Sequence, residues 1–73
     1  MSDKRYPIVI ECTATGFSAY SPDVPGCAAV GDSEDETRQI FRDALAAHFK
    51  LMREIGDSIP EPSSSVAYVE VGA

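Results

Sequence analysis

Apolar and polar positions change rhythm twice along this chain, and the changes mark its elements. From Tyr6 to Thr13 the residues are rich in β-branched and aromatic types and alternate with period two, which predicts a strand. The alternation puts Tyr6, Ile8, Ile10 and Cys12 on one face and Val9, Glu11 and Thr13 on the other. Ala14, Thr15 and Gly16 make a short turn, after which Phe17–Ser21 returns antiparallel with Phe17 and Ala19 on one face. Pro22, Asp23, Pro25 and Gly26 form a stiff connection, because Pro presets the turn backbone and Gly takes a conformation other residues resist. A small-residue strand over Cys27–Gly31 completes a meander, and Ala28 and Ala29 permit close approach there.

The rhythm then lengthens to helical spacing. Ser33 is the expected N-cap, and Glu36 completes a capping box three residues later. Asp32, Glu34, Asp35 and Glu36 complement the positive end of the helix dipole. Ile40, Phe41, Ala44, Leu45, His48, Leu51, Met52 and Ile55 fall at i, i+3 and i+4 spacing and predict one apolar arc. Gly56 is the expected stop, and Pro60 and Pro62 prevent continuation. Beyond the polar Ser63–Ser65, alternation returns over Val66–Val71, with Ala67, Val69 and Val71 set against Val66, Tyr68 and Glu70.

These elements predict an α+β domain of order β-β-β-α-β, a four-stranded, mostly antiparallel sheet with one helix packed on one face. The crossover through the helix makes the last strand parallel to a neighbour, and such crossovers are right-handed as a rule. One helix covers one face. Val9, Val66 and Tyr68 on the second face therefore lack an intrachain partner and are the self-association candidates.

Composition sharpens this. With 73 residues there is room for one domain, 1–73 with a core over about 6–71. A chain this short buries only about 60% of its unfolded surface, so a homodimer or tetramer is expected to supplement the core. Twelve acidic residues against six basic ones give a net charge of −6. That opposes direct nucleic-acid binding, which neutralises phosphates with Lys and Arg, and fits a basic protein partner. Two cysteines and one histidine are too few for a zinc site. The N-terminal MSDKRYPIVIECT has only a brief apolar run and no small-residue cleavage pattern, so Cys12 and Cys27 are expected as free thiols in a reducing cytoplasm. No apolar run approaches membrane-spanning length.

Candidate chemistry is sparse. His48 sits mid-helix in the apolar arc and reads as a core residue, since the sequence nominates no base, nucleophile or metal beside it. Cys27 follows a turn Gly and reads as a small buried residue. Asp23 can bond its own turn backbone, or it can join Tyr20 in a rigid, acidic, aromatic contact surface. No catalytic residue, cofactor or metal ligand is expected.

The run GFSAYSPDVPGC over 16–27, the following Gly31-Asp32, the acidic-to-apolar helix and IGDSIPEPSSSVAYVEV over 55–71 occur in an order that resembles the N-terminal domain of the HicB family of antitoxins. The resemblance covers Tyr6 to Val71. It implies a partial ribonuclease-H-like fold whose fourth strand runs parallel to the first. Glu11 and Glu70 would then lie on neighbouring strands, where paired carboxylates can hold Mg²⁺. Both fall opposite the apolar set of their strands, however, so a degenerate nuclease is the weak alternative. The resemblance implies stoichiometric binding to a small basic HicA-type toxin, an mRNA-cleaving protein, with Tyr20, Asp23 and Glu11 as contact candidates. The alternative is an orphan HicB-like oligomeric binding module. Many members of that family continue into a ribbon-helix-helix or helix-turn-helix DNA-binding domain, which is not expected within these 73 residues.

Overall fold

The computed structural model describes residues 4–73. Three strands, β1 (Val9–Cys12), β2 (Phe17–Ser21) and β3 (Val24–Gly31), precede a single helix, α1 (Glu34–Glu54). The strands form an antiparallel meander in the order β1-β2-β3. β1 is shorter than its alternation predicts. Pro7 cannot donate to a ladder, and its carbonyl accepts instead from the Ser21 hydroxyl at 2.8 Å. β3 begins earlier than expected and takes in Pro25 and Gly26. An edge strand tolerates proline, and the register slips between Tyr20 and Ser21 to absorb the irregular start.

Small side chains in register make the seat for the helix. Ala19 pairs opposite Ala29, and both are buried. Phe41 fills the hollow they leave and is 1% exposed, with Ile8, Ile10, Cys27 and Leu45 packed around it. Full burial of such a ring contributes on the order of 1.5–3 kcal/mol.

Position along the helix is fixed at its start. Ser33 caps it, its hydroxyl accepting from the Glu36 amide at 3.1 Å, one of the two bonds of the expected capping box. Thr37 is fully buried, and its hydroxyl donates to the Ser33 carbonyl at 2.6 Å. That first turn lies directly on the end of β3: a Cβ at Gly31 would sit 2.6 Å from Thr37 Oγ1 and 3.1 Å from its amide nitrogen. The contact turns the helix so that Thr37, Phe41, Ala44, Leu45, His48 and Met52 face inward. Ile40, Leu51 and Ile55, expected in the arc, are exposed. Helical spacing alone left the arc wider than one sheet can cover.

The helix closes with two Schellman bonds, Asp57 N–H to Met52 O at 2.8 Å and Gly56 N–H to Arg53 O at 3.3 Å. Gly56 supplies the φ of +81° that this ending needs. The chain then crosses back over the lead-in to β1. Tyr6 Oη donates to the Pro60 carbonyl at 2.7 Å, and Lys4 pairs with Glu61. Asp23, in the β2–β3 turn, holds the chain just beyond Pro62: its carboxylate accepts from the Ser63 and Ser64 amides at 3.0 Å each and from their hydroxyls at 3.1 and 2.7 Å.

The expected fourth strand is not in this sheet. Residues 66–71 carry no strand pairing, and Tyr68 and Val69 are 94% and 85% exposed. The Asp23 clamp accounts for the difference, because it releases the chain at the β2–β3 turn and not beside β1. The radius of gyration, 14.1 Å, exceeds the roughly 11 Å of a compact chain this long, as a protruding tail requires.

Two outcomes follow from these contacts. Gly31→Ala drives a methyl into the Thr37 backbone, and overpacking of this kind costs about 1–3 kcal/mol; the urea midpoint should fall, and an unchanged midpoint would show that the helix is not seated on this glycine. Hydrogen bonds, that from the Ser64 hydroxyl first, hold the Asp23 carboxyl below the ordinary value of 3.8. The clamp is therefore complete above that ordinary value and is lost as pH falls through the lowered one. In an NMR titration the Ser63 and Ser64 amides should move with a midpoint below 3.8, and Asp23→Ala should abolish the transition.

Candidate protein interface

Strand alternation that sends Ile10, Ala19 and Ala29 toward the helix sends their neighbours to the opposite side. Val9 pairs with Tyr20, and Tyr20 with Ala28; Glu11 pairs with Ser18, and Ser18 with Val30. These six residues form two adjoining cross-strand rows on the face the helix leaves open. Tyr20 is 44% exposed and Val30 72%. The small Ala28 and Ser18 keep the platform flat, Tyr20 supplies a large ring, and Glu11 is exposed within the second row.

The sequence candidates divide across the structure. Tyr20, Glu11 and Val9 are brought together on this face. Asp23 is not free: its carboxylate is occupied by Ser63 and Ser64, and its amide donates to Ser21 Oγ at 3.3 Å. It shapes the turn beside Tyr20 and holds the C-terminal segment. Val66 and Tyr68 lie in the protruding tail, away from Val9. Glu70 is in the same tail and is not held beside Glu11. Ala28, Val30 and Ser18 complete the platform; their alternation was legible, but only the cross-strand register places them next to Tyr20.

Reactive groups are dispersed. His48 is half-buried on the helix, its ring 6.2 Å from that of Phe49. Cys27 packs against the core, and burial pushes its thiol up, which lowers its thiolate fraction. Cys12 is an exposed free thiol. Among the described residues no three His, Cys, Asp or Glu side chains gather as metal ligands, and no helix is long and apolar enough to cross a membrane. The open face is an arrangement for contact: apolar and aromatic area with an acidic residue in it, on rigid strands.

Comparison with known proteins bears directly on that arrangement. A family model described as the HicB_like antitoxin of bacterial toxin-antitoxin system matches residues 6–71. The chain is 37% identical over 70 residues to Antitoxin HicB 2 of Photorhabdus laumondii subsp. laumondii, covering 94% of this chain and 50% of that protein. It is 33% identical over 64 residues to an uncharacterized 14.9 kDa protein in the rep-hol intergenic region of Haemophilus phage HP1, covering 88% and 48%. Among solved structures, a chain of a HicA3 and HicB3 toxin-antitoxin complex superposes with a TM-score of 0.71 at 32% identity, over 82% of this chain and 70% of that one. The chain spans about half the length of these curated relatives. With the family pattern running through every element from the lead-in to β1 to the tail, the chain belongs to the HicB-like antitoxin family of bacterial toxin-antitoxin systems.

Proposed function

We propose that this chain is the toxin-binding part of an antitoxin, and that it neutralises a small basic HicA-type mRNA-cleaving toxin by holding it against the open face of the sheet. The observation that carries this reading is the superposition on a chain taken from a toxin-antitoxin complex, in a domain whose one helix leaves a rigid sheet face uncovered.

The mechanism is occlusion. This chain supplies no reacting group; it acts as a binding partner in a fixed ratio, in the cytoplasm where mRNA is found, with residues 6–71 as one binding domain. A net charge of −6 draws a basic partner in and speeds encounter, an effect that salt screens. Once docked, the complex depends on desolvated contact at the centre of the patch, where an aromatic ring offers large area at little entropy cost. Tyr20 is that centre, flanked by Val9, Ala28 and Val30. Glu11 lies in the adjoining row, where its charge guides approach and register. The face belongs to a ribonuclease-H-like sheet still short of its fourth strand. A tail strand laid along β1 would widen the same face by Val66 and Tyr68.

Co-expression with the product of an adjacent gene for a small basic protein, followed by growth and mRNA integrity, tests the function. Rescue of growth through a stable complex is expected. A neighbour harmless by itself, or toxic despite that complex, would leave the orphan binding module as the better account. Within the complex, Tyr20→Ala should weaken binding by about thirtyfold, mainly through faster dissociation, as loss of a roughly 2 kcal/mol hot spot does. Glu11→Lys should instead slow association severalfold at low salt and little at high salt. His48→Ala, on the far side of the sheet, should leave the affinity unchanged.

A further inference from the structure

A second surface lies on the other side of the molecule. Between the lead-in to β1 and one flank of α1 runs a groove of about 820 Å³, within the range of small-ligand and peptide pockets, about 300–1,000 Å³. Tyr6, Ile8, Leu45 and Phe49 line it with apolar surface, the rings of Tyr6 and Phe49 packing at 5.1 Å between centroids. Arg38, Arg42 and Arg53 from the helix also line it, with Lys4, so four of the six basic residues of an acidic chain gather at this one place. β1 is an edge strand of the sheet, and no strand pairs with its outer side among the described residues. Unpaired edges of this kind are templates for another strand.

The same chain carries a strand without a sheet. Over Val66–Val71, apolar side chains alternate on both sides, Ala67, Val69 and Val71 on one and Val66 and Tyr68 on the other. Six extended residues span about 20 Å, enough to run the length of β1 and its lead-in. Yet Val66, Tyr68, Val69 and Val71 are all exposed, because the clamp on Asp23 fixes Ser63 and Ser64 at the β2–β3 turn. With the strand order β1-β2-β3, that turn is a full strand away from the free edge.

We propose that two copies of this chain exchange tails: Val66–Val71 of each copy adds as the fourth strand along β1 of the other and fills the Tyr6–Leu45–Phe49 groove. Ala67, Val69 and Val71 turn inward against α1. Val66 and Tyr68 join Val9 on the open face. Charge selects this occupant, since the groove's arginines favour a segment whose one charged residue is Glu70 and disfavour a basic protein. Reciprocal exchange is closed by a two-fold axis, so it ends at a dimer and leaves no edge of this kind for further growth. The exchange fills the groove and leaves Tyr20 at the centre of the toxin face uncovered, and its test uses no toxin, so either can fail without the other.

The experiment is isotope-filtered NMR on the full chain, with dimers formed from equal amounts of labelled and unlabelled copies. Contacts between Val69 or Val71 and Leu45 or Phe49 are expected only across chains, together with slowed amide exchange over 66–71 that fades on dilution. Val69→Asp should raise the dimer dissociation constant at least about a hundredfold, because it places a carboxylate in an apolar groove. It should leave the thermal transition of the diluted monomer in place, because Val69 is 85% exposed in the single chain. Cross-chain contacts with that loss of affinity support the exchange. A monomer whose tail amides exchange freely overturns it, as does a tail that contacts Leu45 and Phe49 within one chain.

Discussion

One 21-residue helix has to serve a three-stranded sheet, and nearly everything else about the molecule depends on where that helix is forced to sit. Phe41 enters the hollow above Ala19 and Ala29, while Gly31 lets Thr37 press onto the end of β3. Both contacts draw the helix toward β3 and β2. The inner face of the meander is thereby closed over its centre. Its outer face and the flank beside the lead-in to β1 are left open. Among the described residues α1 is the one helix, and the core of so short a chain is correspondingly small.

The two open surfaces differ in chemistry because charge is unevenly spread. Acidic residues are concentrated in the first turn of the helix, where they also favour the helix dipole, and Glu11 lies on the outer sheet face. Arginines are concentrated on the helix flank above the groove. On our reading, the acidic chain with its flat aromatic face receives a basic protein, and the cationic groove receives an acidic strand. Opposite local signs would keep the two partners from competing, as repulsion against the wrong partner contributes to specificity.

Asp23 connects these surfaces. A single carboxylate accepts two amide and two hydroxyl hydrogen bonds from consecutive serines 40 and 41 residues away in sequence. Charge-assisted bonds of this kind are stronger than neutral ones. They hold the turn that presents Tyr20, and they also decide where the tail leaves the domain. Turn rigidity and tail direction are therefore set by the same residue.

The strands of the meander, the capped helix and the helix stop were legible from the sequence, because each follows from local rules: period-two alternation, the Ser33–Glu36 box and a glycine able to take positive φ at position 56. So was the separation of Ile8 and Ile10 from Val9 and Glu11, since adjacent strand residues must point to opposite faces. Of the interface, Tyr20, Glu11 and Val9 could be named, but not their grouping with Ala28 and Val30, which depends on register between strands. Which part of the apolar arc is buried, and that Thr37 belongs to it, followed only from packing against Gly31. The tail shows the division most clearly. Its alternation specifies a strand, yet a strand needs a partner to bond its backbone, and whether that partner lies in the same chain is a question of distance. The clamp at Asp23 fixes where the tail starts, and no periodicity in the sequence encodes it.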